Sequence, residues 1–379
     1  MGEEITPFEV VVPEAALEDL AERLARTRWP EVEPVDDWSQ GVPLAYLQDL
    51  CRHWAGAYDW RAREARLNAY PQGRTELDGL AVHFLHVRSP VEDALPLVLT
   101  HGWPGSVVEF YEVIGPLTDP AAHGGDPADA FHVVCPSLPG YGWSDKPTAP
   151  GWGVDRTAAA WAQLMARLGY ARYGAQGGDW GAAVTTSIGA QDAEHVAGIH
   201  LNMVIAAPGR EDREDLSERE EAALASLTHY ADWDSGYSKE QSTRPQTIGY
   251  SLVDSPVGEC AWILEKFWSW TDTDGDPVGA LGADRILDNV MLYWLSASGA
   301  SSARLYWESF RSMTGGAVAV PTGASIFPKE IFRPSRRWAE RRYENIVFWE
   351  ELDRGGHFAA FEQPELFVEQ VRAFFRLVR

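Results

Sequence analysis

Residues 177–181 read GGDWG. A strand-like segment, YARYGAQ at 170–176, precedes them, and a helix-like segment, AAVTTSIGAQD, follows. A Gly-x-nucleophile-x-Gly turn between strand and helix holds one side chain exposed on a sharp bend. The usual occupant is serine; here it is Asp179. A serine must lose a proton as it attacks, so it needs a base in its first step. A carboxylate is already ionised near neutral pH. It is suited to attack an sp³ carbon that bears a strained or good leaving group, which leaves an alkyl ester of Asp179. A second step then hydrolyses that ester at the carboxyl carbon with an activated water. Epoxides and haloalkanes fit this scheme. Esters do not, because a carboxylate nucleophile would give an anhydride.

The second step needs a base, an acid to steer it, and donors for the oxyanion. On the α/β-hydrolase fold the chain order is nucleophile, acid, histidine. His357, in the Gly-rich loop RGGHFAAFEQPE between the last strand-like and last helix-like segments, fits the base. The acid should follow the preceding strand. There AVAVPTGASIFPKEIFRP offers Glu330, with no Asp between Ala317 and Tyr343. A solvated Glu at a helix N-terminus would look similar. HGWPGS at 101–106 ends an early strand, where its backbone N–H at Trp103 and the N–H of Trp180 are candidates for an oxyanion hole. Plain Gly/Pro turns are common, so it is the position at a strand tip that favours function. The sequence leaves the isomer of the Trp103–Pro104 bond open.

The elements that must position these groups alternate. LPLVLT (95–100), FHVVCP (131–136), YARYGAQ (170–176) and HVAGIHLNMV (195–204) read as strands, and TAAAWAQLMARLG (157–169) as a helix. Such alternation predicts an α/β architecture, a mostly parallel sheet with helices on both faces. Upstream, EAALEDLAERLART (14–27) reads as a helix, and 74–88 as a hairpin around Asp78-Gly79. The rhythm stops near Pro208, where a charge run at 211–222 leads into a helical, Trp-rich stretch to about 315. It resumes with AVAVPTG (317–323), ENIVFWEEL (344–352) and a closing amphipathic helix from Pro364. The expected division is an N-terminal extension over 1–94, a core over 95–208, a helical cap over 209–315 and the rest of the core over 316–379. A cap there would overhang the carboxyl ends of the strands, where ligands sit in such sheets.

Composition narrows the classes. The chain has 379 residues, 45% of them hydrophobic, with 17 Trp, enough for a large core. Its net charge of -24 argues against nucleic acid or anionic membrane as partner. Three scattered cysteines, Cys51, Cys135 and Cys260, suit reduced thiols in a cytoplasm. The N-terminus has no signal-like pattern, and no apolar run approaches a membrane span. A soluble cytoplasmic protein is expected. Asp272, Asp274 and Asp276 mimic a calcium loop, but Pro277 intrudes and Ala283 stands where a bidentate Glu is required, so no metal is expected. No nucleotide motif is present, and no cofactor is implied.

The order and wording of the motifs resemble the microsomal-type epoxide hydrolases, in a soluble bacterial form without the membrane anchor of the vertebrate members. The resemblance runs over nearly the whole chain: TPFEVVVPEAALEDLAERLARTRWP, HGWPGS, SLPGYGWSDKP, GGDWG, DSPVGECAWILEKFWSWTDT, NVMLYW, VPTGASIFPKE and RGGHFAAFEQPE. It implies Asp179 as nucleophile, His357 as base and Glu330 as the relay acid. It also implies two cap tyrosines that hydrogen-bond the epoxide oxygen, at Tyr237 in DSGYSKEQ and Tyr306 in RLYWESF. Neutral phenols suit that role, since each donates an O–H to a developing alkoxide. Trp103, Trp180, Tyr237 and Tyr306 would then contact the substrate, with water as co-substrate. The product is a vicinal diol. The resemblance further implies a homodimer, and a part in detoxification or natural-product pathways. Trp103, Trp180, Trp262, Trp268 and Trp270 suggest an apolar pocket for hydrophobic, including aryl, epoxides.

Two rivals stand beside this reading. A haloalkane dehalogenase also uses an Asp elbow, with Trp180 and Trp103 as candidate halide donors; the N-terminal extension and cap tyrosines argue against it. A non-catalytic small-molecule binding protein would have no use for the full constellation. A serine esterase is weaker still, because Ser298 and Ser325 do not sit on a strand–turn–helix elbow.

Overall fold

The structure, a computed structural model, describes residues 4–310 and 316–379. Nine strands form one sheet among the described residues: β1 (Thr6–Pro7), β2 (Gln72–Leu77), β3 (Leu80–Val87), β4 (Leu95–Thr100), β5 (Phe131–Pro136), β6 (Tyr173–Gly177), β7 (Val196–Leu201), β8 (Thr322–Ile326) and β9 (Ile346–Glu351). Their order is β1-β2-β3-β5-β4-β6-β7-β8-β9. The pairs β1–β2, β2–β3 and β3–β5 are antiparallel, and the rest are parallel. Every residue of β5, β6, β7 and β8 is buried, which is why these strands read as mostly apolar or small-residue runs, broken by His132, Gln176 and His200. β9 closes the sheet as a partly exposed edge.

The chain leaves β4 for β5 on one side and then returns to β6 on the other, so β4 and β6 flank a topological switch point. A crevice opens at the carboxyl ends of strands at such a point. Helices α1 (Glu14–Ala25), α2 (Leu44–Gly56) and α3 (Trp60–Asn68) belong to the N-terminal segment. α4 (Tyr111–Thr118), α5 (Val154–Arg167) and α6 (Asp179–Gln191) follow β4, β5 and β6 in turn. Right-handed crossovers in opposite directions put α4 and α5 on opposite faces.

Between β7 and β8 lie α7 (Glu218–His229), α8 (Gly236–Thr243), α9 (Pro245–Leu252), α10 (Pro256–Trp270), α11 (Pro277–Leu281), α12 (Ala283–Leu295) and α13 (Gly299–Ser309). α14 (Arg336–Ala339), α15 (Ala359–Glu362) and α16 (Pro364–Phe375) complete the chain. The expected end of the helical stretch at 315 falls outside the described residues. Within the charge run, α7 starts at a capping box of Ser217 and Glu220. Asp276, in the calcium-like loop, caps α11 and accepts from the Tyr46 hydroxyl at 2.6 Å.

The N-terminal segment is fastened to this insertion. Tyr58 donates to Asp288 at 2.8 Å, His53 Nε2 lies 2.7 Å from Asp284 Oδ1, and Arg63 pairs with the same Asp284. Trp38 stacks on Trp268 at 5.0 Å. No helix among the described residues is long and apolar enough to cross a membrane.

Two expectations need correction. The strand expected over 317–323 begins later, at Thr322. Val318 and Val320 are buried as strand residues would be, but Val318 makes only an isolated bridge with Tyr343. The apolar alternation there reports burial rather than a ladder. The strand expected over 170–176 likewise begins at Tyr173, after a bend.

Candidate active site

The GGDWG turn joins β6 to α6, and Asp179 is the first residue of the helix with φ of 49°, in the left-handed region. A residue with a Cβ held there is strained, as nucleophile elbows are. The turn closes because residue 181 is glycine: a Cβ on it would meet the Thr100 carbonyl at the end of β4. The Asp179 carboxylate is thereby held over the switch point. The Trp103 N–H donates to its Oδ1 at 2.8 Å. Its Oδ2 lies 3.4 Å from His357 Nε2. The other ring nitrogen, Nδ1, lies 2.6 Å from Glu330 Oε1.

Glu330 sits in the loop after β8 and is 1% exposed. No helix begins there among the described residues, so the solvated-terminus alternative fails. One carboxylate oxygen accepts from His357 and from the Ile331 N–H at 2.6 Å. His357 follows β9 and is oriented on its remaining sides as well. Its N–H donates to the Trp270 carbonyl at 2.9 Å, and the Trp270 ring meets the imidazole edge-on at 4.9 Å. Burial works against a charged imidazole. The Glu330 charge, together with the hydrogen bonds that the ring donates to Asp179 and Glu330, outweighs it and raises the His357 pKa well above its ordinary value.

The 101–106 loop is held from below and above. His101 is wholly buried; its Nδ1 pairs with the Gly102 carbonyl at 3.0 Å, and its Nε2 accepts from the Leu138 N–H at 3.2 Å. From the insertion, α12 supplies Asn289, which donates to the Pro104 carbonyl, and Tyr293, which donates to the Gly105 carbonyl, both at 2.7 Å. The Trp103–Pro104 peptide is cis.

Tyr237 (on α8) and Tyr306 (on α13) meet near Asp179 with ring centroids 5.7 Å apart. Tyr237 lies flat on the Trp103 indole at 4.9 Å, and Tyr306 stands edge-on to Trp180 at 4.8 Å. The Tyr306 hydroxyl is buried with no hydrogen-bond partner among the described residues. Burial, reinforced by the nearby Asp179 charge, raises both phenol pKa values well above 10 and keeps them protonated. The structure thus brings together Asp179, His357, Glu330, Tyr237, Tyr306, Trp103 and Trp180. Trp262 and Trp268 fall outside the group: Trp262 donates to Gln241, and Trp268 packs on Trp38.

Comparison with known proteins decides the family. The family described as "Epoxide hydrolase N terminus" matches residues 5–110, and that described as "alpha/beta hydrolase fold" matches 96–235. A Stigmatella aurantiaca protein assigned as an epoxide hydrolase is 57% identical over 376 residues, 99% of this chain and 86% of that one. Epoxide hydrolase 1 of Oryctolagus cuniculus is 36% identical over 99% of this chain and 90% of its own. This chain belongs to the epoxide hydrolase family.

The solved structures agree on the fold. The juvenile hormone epoxide hydrolase of the silkworm Bombyx mori superposes with a TM-score of 0.91 at 32% identity, covering 99% of this chain and 95% of that one. The Aspergillus niger epoxide hydrolase follows at 0.89 and 34%, with 99% and 97% coverage. This epoxide hydrolase has the α/β-hydrolase fold that the strand–helix rhythm predicted.

Around the epoxide hydrolase site stand groups the sequence reading passed over. Tyr230 shares a hydrogen bond with the Tyr237 hydroxyl at 2.9 Å. Tyr230 lies in the turn that joins α7 to α8, so no helical spacing announced the pair. Lys266, 2% exposed, pairs with Asp234 at 2.8 Å and sits 4.6 Å from the Tyr237 ring centre. Asp234 also accepts from the Trp270 indole at 2.6 Å, tying the ring beside His357 to the ring above Trp103. Glu109 lines the same crevice as Asp179 and His357.

Proposed function

We propose that this protein converts a hydrophobic epoxide, aryl epoxides included, to a vicinal diol through a covalent ester of Asp179. The observation that carries the reading is a carboxylate at the elbow, held between the Trp103 N–H and the His357 imidazole. Asp179 Oδ2 attacks an epoxide carbon and the C–O bond breaks. Tyr237 and Tyr306 donate hydrogen bonds to the leaving oxygen and supply its proton. While Asp179 is ionised, its charge helps to keep His357 protonated; once it is an ester that charge is gone, and the ring is free to act as base. His357 then takes a proton from water, and the resulting hydroxide attacks Asp179 Cγ. Glu330 holds the ring in register and offsets its positive charge. The N–H of Trp103, with that of Trp180, stabilises the tetrahedral oxyanion, a contribution on the order of 3 kcal/mol per donor in such sites. Collapse expels the diol oxygen, which takes the proton from the imidazolium, and the proton left on the new carboxyl returns through solvent to the phenolate, restoring the Asp179 carboxylate. The aromatic walls of Trp103, Trp180, Tyr237 and Tyr306 favour a flat, apolar substituent on the epoxide.

A single turnover of styrene oxide in heavy-oxygen water, with enzyme in excess, tests this. The expected result is label in the Asp179 peptide and a diol whose new oxygen comes mostly from the protein. A diol that takes its oxygen directly from water, with Asp179 unlabelled, would reduce the aspartate to a general base. Halide release from chlorinated alkanes with no diol from any epoxide would move the activity to dehalogenation.

A further inference from the structure

Glu109 is a carboxyl group for which the two-step scheme has no use. It lies in the short 3-10 turn after the HGWPGS loop, and its side chain folds back over that loop. A Cβ at residue 105 would coincide with the Glu109 carboxylate, so glycine at 105 is what admits it. One duty is plain: the carboxyl accepts the Ser106 N–H, while the Ser106 hydroxyl caps the same turn by accepting from the Val108 N–H at 3.3 Å. That duty leaves acceptor capacity on the carboxyl unused, in its neutral form as well as its ionised one.

The rest of the carboxyl faces chemistry. Gly102, Gly105, Glu109, Asp179, His357 and Phe358 are among the residues enclosing a cavity of about 20 Å³. A volume on that order accommodates one water, and a buried water needs two to four polar partners. Glu109, Asp179 and His357 supply three. Loss of hydration lifts the Glu109 carboxyl to about 8, against the pull of His357 and with the push of Asp179. A neutral carboxyl there adds no third negative charge beside the oxyanion that ester hydrolysis creates.

Resting on the two-step reading above, we infer that Glu109 seats the hydrolytic water. Its carboxyl oxygen accepts one O–H of a water whose other O–H points to His357 Nε2, which turns the oxygen lone pair toward Asp179 Cγ. In the step itself the water oxygen bonds to Cγ and its proton passes to Nε2. The tetrahedral intermediate then expels the diol oxygen, which takes the proton from the imidazolium. Asp179 is left as a carboxylic acid carrying one oxygen from water, and its remaining proton returns through solvent to the phenolate that protonated the epoxide oxygen, which restores the carboxylate. Glu109 changes neither bond nor charge; it fixes position.

Rapid-quench mass spectrometry and stopped-flow tryptophan fluorescence on the full chain, with styrene oxide, separate the two half-reactions. Glu109→Leu is expected to form the Asp179 ester within about 3-fold of the wild-type rate and to hydrolyse it at least ~10-fold more slowly, so that ester accumulates. Glu109→Gln, which keeps a carbonyl acceptor, is expected to hydrolyse within about 3-fold of wild type. Should the leucine variant fail to fold, Glu109→Asp withdraws the carboxyl by one methylene, and the same split is expected. Ester hydrolysis at the wild-type rate in a folded Leu or Asp variant would overturn the inference. Equal slowing of both half-reactions would also overturn it and leave Glu109 as a cap alone. Absence of any ester in wild type and in His357→Gln would instead overturn the two-step reading itself, and the role of Glu109 with it.

Discussion

His357 Nε2 stands 3.4 Å from Asp179 Oδ2, beyond the length of a tight hydrogen bond. In the proposed scheme that oxygen keeps its lone pairs for the substrate, while the imidazole stays near enough to reach a water beside the carboxyl carbon. Attack by Asp179 in that scheme needs no base. His357→Gln is therefore expected to form the ester within ~10-fold of the wild-type rate, while kcat falls by ~10²–10⁴, the usual worth of a general base. Intact-protein mass after mixing with epoxide should show the enzyme plus one substrate. A folded variant that neither turns over nor gains mass would refute the division of labour.

The two phenols differ in what they give up when the hydroxyl is removed. Tyr306→Phe removes a buried O–H that donates to no group among the described residues, so thermal stability should hold or rise. Tyr237→Phe breaks the 2.9 Å bond to Tyr230 and should lower stability by about 1 kcal/mol. Both should slow ester formation by roughly 10–100-fold, the loss of one hydrogen bond of ~1.5–3 kcal/mol to a developing charge. Stopped-flow rates and melting curves on the same preparations check the pair. Stability falling with Tyr306→Phe would contradict the unpaired hydroxyl.

Three wholly buried histidines set an acid limit. Burial pushes His83 down to about 3, His101 to about 4 and His200 to about 3. Each folded pKa lies below the unfolded value of about 6.5, so the unfolded chain binds more protons below that pH. Their contribution is fully present above about 6.5 and is lost as pH falls toward 4 and 3. Each costs up to ~1.4 kcal/mol per pH unit in that window. Imidazole proton resonances followed from pH 7 to 4.5 should show the three rings neutral throughout in the folded chain. Rings that titrate near 6.5 in the fold would refute this limit.

Asp288 is a buried carboxylate whose Oδ1 takes the Tyr58 hydroxyl at 2.8 Å and whose Oδ2 has no partner among the described residues. Loss of hydration already raises its pKa to about 6. Tyr58→Phe is expected to destabilise the fold by about 1–3 kcal/mol, because it leaves the buried Asp288 Oδ1 with only the Arg63 guanidinium at 3.4 Å. It should also quicken proteolysis within the first 70 residues. A variant as stable as wild type would show that water replaces the phenol freely.

How far these features could be read in advance depended on their range along the chain. β4 to β7 were legible because strands buried on both faces must be mostly apolar. The elbow was legible because its turn needs Gly, nucleophile and Gly within five letters. Asp179, Glu330 and His357 followed from chain order, although Glu330 proved to be a buried loop residue. β8 was misplaced because Val318 and Val320 are buried without joining the ladder. Glu109, Tyr230 and the Trp270 contact with His357 went unread for a different reason. The pattern Ser106-x-x-Glu109 announces a cap, and nothing local announces the imidazole that folding brings beside it.

The ties from Tyr46, His53, Tyr58 and Arg63 to α11 and α12 reach the same helices that grip the 101–106 loop. A roof bolted at both its outer and inner rims does not swing open as a door. Entry and exit are then left to rotations of single side chains around the paired phenols, and these admit slim molecules faster than broad ones. Discrimination among epoxides by girth would thus show itself in how quickly each arrives and how slowly its diol departs, while the bond-making steps treat those already inside much alike.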